Sequence, residues 1–214
     1  MSKKVEWMLS SLEGFEKPKI KLEQYATSAE LSISMMELID ELVGIDGMII
    51  ADIGCGCGML MTTVATCYQP ITVVGMDIDE EALVVCRRNL ETAEVEDNCQ
   101  LIQFDALKIA QLFPREIFDI VVINPPFGTK NNEGIDLQFV KAGLSILRPG
   151  GSVFSLHKST TRDFLVKTAN KWENVEEAKC VAEMQWNLPA TYKFHKQKSI
   201  DIAVDLIQFK KKLT

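Results

Sequence analysis

Apolar positions along the chain fall into short strand-length runs separated by stretches of helical spacing. The runs are Met48 to Ile53, Ile71 to Met76, Cys99 to Phe104, Phe118 to Ile123 and Ser152 to Leu156. Each reads as a strand, and the four apolar β-formers Ile120 to Ile123 read as one buried on both faces. Two longer segments, about Val175–Trp186 and Ile200–Phe209, flank the loop Asn187–Ser199 and read as the last strands. Between the runs, Leu31, Met35, Leu38, Ile39 and Leu42 fall near helical spacing, after a capping box Thr27-Ser28-Ala29-Glu30 with Thr27 at the N-cap and before a stop at Gly44. Helices are also predicted over Met59 to Cys67, over Glu80 to Ala93, and over Asp136 to Leu147 up to Pro149-Gly150-Gly151. A last helix should run from the hydroxyl-plus-acid cap Thr160-Thr161-Arg162-Asp163 to about Trp172. Residues 1–26 are polar and mixed, and Lys17-Pro18-Lys19 breaks any early helix.

Strands alternating with helices at this spacing mean βαβ units. The fold class is therefore α/β, a seven-stranded, mostly parallel sheet with helices on both faces. The direct strand–loop–strand ending makes the last strand antiparallel. The 214 residues suit one domain, with a lid and helix over 1–44, a core over 45–209 and a basic tail over 210–214. Hydrophobic content of 47% and charged content of 25% exclude long-range disorder. A net charge of −7 argues against coating nucleic acid over the whole surface, and leaves room for a local basic patch. No apolar run approaches the ~20 residues of a membrane span, and no secretory h-region is visible. Six cysteines, two of them in Cys55-Gly56-Cys57, match no disulfide or zinc spacing. They read as free thiols in a reducing compartment, nucleus and cytoplasm, and no metal is expected.

The first strand runs into Asp52-Ile53-Gly54-Cys55-Gly56-Cys57-Gly58. Glycines between a buried strand and a helix let backbone approach a ligand and point helix N-terminal amides at it. The glycines follow G-x-G-x-G after an acid, not the G-x-G-x-x-G of a dinucleotide site. Asp77 closes the second strand, where a carboxylate can take both ribose hydroxyls. Asp105 closes the third, placed to accept from an adenine amino group with Phe104 or Ala106 near the ring. One such acid alone reads as a solvated strand end. Three acids and a glycine loop at strand carboxyl ends point to a nucleoside-bearing cofactor. Cys55 and Cys57 lack the other ligands of a zinc site and read as packing residues.

The fourth strand ends in Asn124-Pro125-Pro126-Phe127. Neither proline can donate to a ladder, so Asn124 is held in a stiff turn at the carboxyl rim, where open α/β sheets bind ligands. Taken by itself, Asn-Pro-Pro can also be no more than a turn. An Asn side-chain carbonyl and the Pro125 carbonyl can both accept from a planar NH₂ group and turn its delocalised lone pair toward an electrophile. Phe127 offers a stacking face, and positioning carries the reaction without a cysteine nucleophile.

Asp52 to Gly58 resembles the S-adenosylmethionine motif of class I methyltransferases, whose Rossmann-like arrangement the element order also matches. Asn124 to Phe127 resembles the (Asp/Asn)-Pro-Pro-aromatic signature of methyltransferases acting on planar amino nitrogens, the adenine amine or the glutamine amide. Together with Phe15-Glu16-Lys17-Pro18-Lys19, Leu22 to Tyr25 with Thr27, Asn124 to Asn132, Leu156-His157-Lys158-Ser159, Leu188-Pro189-Ala190 and Tyr192 to Lys196, they resemble the methyltransferase-like protein five family over almost the whole chain. That family makes N6-methyladenosine in small-subunit ribosomal RNA. The resemblance implies S-adenosylmethionine contacts from Gln24, Thr27, Gly54, Cys57, Met59, Asp77, Asp105 and Ala106, to which the motif adds Asp52 and Gly56. It implies catalysis at Asn124, Pro125, Pro126 and Phe127, and a small zinc-ribbon activator subunit. The chain departs from the family at Ala26, where Pro is expected, and in a longer tail after Phe209. From the residues alone, Thr27 reads equally well as an N-cap.

Two regions bear on substrate and partner. Tyr192, Lys193, Phe194, His195, Lys196 and Lys198 interleave basic and aromatic residues on the rim that holds Asn124, suiting RNA, with a solvated hairpin tip as the bland alternative. His157 on that rim reads as a hydrogen-bonded structural residue. The third strand is expected at a sheet edge, where Leu101, Ile102 and Phe104 would leave an apolar edge for the activator to cover by adding a strand. The rival substrates are a translation-factor glutamine and DNA adenine, for which no DNA-reading domain is visible. The non-enzymatic rival is a methyltransferase-fold scaffold.

Overall fold

The computed structural model describes residues 2–113, 115–128, 132–189 and 199–214. The strands are β1 (Ile49–Ile53), β2 (Thr72–Asp77), β3 (Cys99–Gln103), β4 (Phe118–Ile123), β5 (Leu147–Lys158), β6 (Val175–Pro189) and β7 (Ser199–Lys211). They form one sheet in the order β3-β2-β1-β4-β5-β7-β6. The pairs among β1 to β5 are parallel, and β7 runs antiparallel to both β5 and β6. The chain therefore has the seven-stranded class I methyltransferase arrangement.

The helices are α1 (Lys3–Ser10), α2 (Ala29–Val43), α3 (Met59–Cys67), α4 (Glu80–Thr92), the single turn α5 (Ile109–Leu112), α6 (Ile135–Ile146) and α7 (Arg162–Ala169). They divide over the two faces, which is why β1, β2 and β4 are buried along nearly their whole length. Along β4, Ile120 and Val122 enter one core with α2, α3 and α4, while Val121 and Ile123 enter the other with α5, α6 and α7. With both faces covered, the strand ends carry the polar residues.

Several local expectations shift, each for a physical reason. Residues 3–10 form a helix despite their polar composition, because Ser2 caps it and Leu9, fully buried, packs with Val5 and Met8 against Ala29, Ile33 and Met59. The N-cap of α2 is Ser28 and not Thr27: the Ser28 hydroxyl accepts from the Leu31 amide at 3.2 Å. At α7, Thr161 caps nothing, since its hydroxyl donates to the Lys158 carbonyl at 2.9 Å. Strand β5 begins at Leu147 and passes through Pro149-Gly150-Gly151 by a register shift against β4, with Gly150 at φ 79°. Nor is the C-terminal run a free basic tail up to Lys211. β7 continues to that residue, whose buried Nζ donates to the Leu144 and Leu147 carbonyls at 2.9 and 2.8 Å and so caps α6.

Helix α6 backs the two strands that end at the candidate reaction centre. A Cβ on Gly143 would lie 3.0 Å from Val153 and 3.2 Å from Val121. Gly143→Leu should overpack this contact and lower stability by about 1–3 kcal/mol, read as a lower urea midpoint at unchanged m-value.

Candidate cofactor site and reaction centre

Four strand ends and one N-terminal strap enclose a cavity of about 400 Å³. All ten residues assigned to the cofactor from sequence line it: Gln24, Thr27, Asp52, Gly54, Gly56, Cys57, Met59, Asp77, Asp105 and Ala106. Asn124 and Pro126 line it too, so the end of β4 shares a wall with the end of β1. Phe104 lies past the end of β3 and faces the cavity as well.

The glycine turn is shaped by what packs on it. At Gly58, φ is 85° and a Cβ would collide with the Cys86 thiol. At Gly56, φ is 53° and a Cβ would come within 2.7 Å of the Phe15 ring, which lies over the turn. Cys55 and Cys57 are buried and free, and among the described residues no three His, Cys, Asp or Glu are grouped to hold a metal. Burial and neighbouring acidic groups push the Cys57 thiol up, so it stays neutral at physiological pH.

The acids at the strand ends are wired differently. Asp77 accepts from the Gly56 amide through Oδ2 and from the Asp79 amide through Oδ1, both at 2.8 Å. Burial pushes its carboxyl up, and those amides pull it back. Asp105 Oδ1 accepts from the Leu107 amide at 3.0 Å, capping a short turn at the cavity rim. Asp52 Oδ2 accepts from the Met61 amide at 3.0 Å, whereas its buried Oδ1 has no partner among the described residues. Burial, reinforced by Asp77, raises its carboxyl to about 7 against the Met61 hydrogen bond.

The strap between α1 and α2 crosses the cavity, held by contacts that sequence reasoning missed. Buried Asn89 on α4 accepts from the Glu13 amide at 2.8 Å and donates to the carbonyls of Glu13 and Cys57, tying strap to glycine turn. Arg88 pairs with Glu13 and Glu16. Gln24 donates to Asp79 at 2.7 Å and accepts from the Lys19 amide at 2.7 Å, so its amide joins the strap to the start of α4. Burial would raise the Asp79 carboxyl, but the Lys19 ammonium and the Gln24 amide hold it below the usual range. At the strap's end, Thr27, freed from capping, accepts from Asn124 Nδ2 at 2.9 Å. That bond leaves Oδ1 as the atom Asn124 can offer to a substrate.

The remaining residues of the turn look away from the cavity. Pro125 is buried, and Phe127 meets the buried Trp186 ring at 82° with centroids 5.9 Å apart. His157 is buried with Nδ1 3.3 Å from Asp136 Oδ2, behind the turn. Tyr192, Lys193, His195, Lys196 and Lys198 lie outside the described residues.

The methyltransferase small domain family matches residues 29–180. Over 98% of this chain and 97% of the other, the sequence is 68% identical to rRNA N(6)-adenosine-methyltransferase metl-5 of Caenorhabditis elegans. It is 44% identical to rRNA N(6)-adenosine-methyltransferase METTL5 of Danio rerio, covering 97% of each. The chain belongs to the METTL5 family. Among solved structures, protein PH1948 of Pyrococcus horikoshii superposes with a TM-score of 0.82 at 28% identity over 99% of both chains.

The METTL5 family and the fold imply S-adenosylmethionine, and the cavity fits it on its own terms. Asp52 Oδ1, without a partner among the described residues, suits a cationic group. Met76, Ile78, Phe104 and Leu107 give the Asp105 end an apolar lining for a planar base.

Because the Asp52 carboxyl titrates near 7, a cationic ligand beside it should bind more tightly as pH rises from 6 to 7.5 and the group ionises. Calorimetry with S-adenosylhomocysteine should show a proton released on binding at pH 6, and Asp52→Asn should abolish both the release and the pH dependence. For stability the sign is opposite. The folded state holds this proton above the pH at which the unfolded chain loses it, so the Asp52 contribution to stability falls as pH rises between about 4 and 7.

Proposed function

We propose that this chain transfers a methyl group from S-adenosylmethionine to N6 of an adenosine in small-subunit (18S) ribosomal RNA, as the catalytic subunit of a heterodimer. The observation that carries the reading is Asn124: it sits on the wall of the cofactor cavity with its Nδ2 committed to Thr27 and its Oδ1 available to accept. The names of the METTL5 relatives support the adenosine and the ribosomal RNA.

S-adenosylmethionine supplies, when bound, an electrophilic methyl on its sulfonium. The chain supplies position. The Asn124 Oδ1 and the Pro125 carbonyl accept from the two hydrogens of the adenine amine, which rotates the lone pair out of conjugation and stabilises the positive charge growing on nitrogen. Phe127 gives the base a ring to stack on, braced by Trp186 from the core side. The loop carrying Tyr192, Lys193, His195, Lys196 and Lys198 grips the RNA around the target. Asp52 and Asp77 hold the cofactor's charged and ribose ends, and the strap closes over it.

The partner enters at β3. This strand ends the sheet, and among the described residues no strand pairs with its outer side. Leu101 and Ile102 are half-buried against opposite cores, so β3 presents a backbone edge that an added strand can complete. A small zinc-ribbon activator is the expected occupant, and the complex is expected in both nucleus and cytoplasm.

With the activator present, labelled methyl groups should appear in small-subunit RNA and not in DNA or protein. Asn124→Ala should lower kcat about a hundred-fold or more while S-adenosylhomocysteine still binds. Counts in protein alone would instead establish a glutamine-amide methyltransferase, and a wild-type chain that fails to bind the cofactor would establish a scaffold. Leu101→Glu should abolish co-purification with the activator and leave the lone chain insoluble. A soluble, fully active lone chain would refute the heterodimer.

A further inference from the structure

The carboxyl end of β5 brings a cation to the reaction centre that the mechanism above leaves unused. Lys158 is exposed, and its Nζ lies 5.6 Å from the centroid of the Phe127 ring. Among the described residues no carboxylate pairs with it, whereas neighbouring Arg162 is committed to Asp205 and Glu183. Buried Trp186 meets the same ring at 82°, and the Lys158 ammonium lies over the ring. A planar target cannot stack on that face while the ammonium occupies it.

We propose that Lys158 selects a nucleotide over an amide-bearing protein side chain: the arriving base takes the place of the ammonium on Phe127, and the displaced ammonium pairs with the phosphate beside that base. The proposal rests on the RNA-adenine reading and deepens it. An exposed cation–π contact is weak, and an ammonium–phosphate hydrogen bond is stronger, so the exchange runs forward when a nucleotide enters. The four-carbon stem of lysine lets one side chain serve both positions without moving the backbone. A glutamine side chain brings no phosphate, so it would strip Lys158 of its ring contact and return nothing. In a chain of net charge −7, an unpaired cation at this rim also offsets the repulsion an incoming polyanion meets.

The test compares the full-length wild type with Lys158→Met and Lys158→Arg, each with the activator subunit, on small-subunit ribosomal RNA at several salt concentrations. Lys158→Met, which keeps the stem and removes the charge, should raise KM for RNA about tenfold at low salt. It should also make the logarithmic salt dependence shallower by about 0.7, the share of one phosphate on a single strand. Lys158→Arg should stay near wild type, and neither variant should change the melting midpoint or the affinity for S-adenosylhomocysteine. A Lys158→Met enzyme with the wild-type KM, or with a raised KM and an unchanged salt slope, overturns the proposal and leaves the RNA reading standing. A wild type that methylates protein and no RNA overturns both.

Discussion

Covering both faces of a parallel sheet is the constraint on which the rest of this structure depends. Once α2, α3 and α4 bury one face and α5, α6 and α7 the other, polar side chains have few places left within the sheet. They gather at the carboxyl ends of β1, β2, β3 and β4, where Asp52, Asp77, Asp105 and Asn124 stand around one cavity. Closeness of the cavity and the proposed reaction centre follows from that geometry. β1 and β4 are hydrogen-bonded neighbours, with Ile53 opposite Ile123. The glycine turn and the Asn-Pro-Pro turn therefore leave the sheet side by side.

The strap adds what the sheet cannot. An open rim exposes a bound cofactor to water, and the segment between α1 and α2 covers it through contacts with α4, the β2–α4 turn and Asn124. Its anchors are of two kinds. Asn89 is buried and satisfies three backbone groups, so it fixes the strap at modest electrostatic cost. The pairs of Arg88 with Glu13 and Glu16 are exposed and contribute little in salt. The Thr27–Asn124 bond ends the strap on the residue proposed to meet the substrate, linking the strap over the cavity to the orientation of that amide.

Local chemistry was legible in the residues, and long-range partnership was not. The run Phe118 to Ile123 matches its strand residue for residue, and Met59 to Cys67 matches its helix, because each signal is a period or a breaker within a few positions. The cap of α2 was displaced by one residue, since Thr27 and Ser28 both carry hydroxyls and only the tertiary contact with Asn124 claims Thr27. The early helix was missed because its apolar side chains, among them the fully buried Leu9, find their partners on α2 and at Met59, far beyond the local window.

By itself, then, the sequence determined the alternating architecture, the glycine turn after Asp52, the acids at the strand ends and the stiff Asn124-Pro125-Pro126-Phe127 turn. All of these are set by backbone preference and by burial period, which act between near neighbours. Only the tertiary structure decided that Thr27 serves Asn124 at a separation of 97 residues, that Asn89 pins a strap 76 residues away, and that Lys211 caps a helix 67 residues before it. It also decided that the Lys158 ammonium stands over the Phe127 ring. Such contacts carry no local pattern. Folding the sheet first brings their partners together, and hydrogen bonding in a buried, low-dielectric setting then selects which of the available side chains meet.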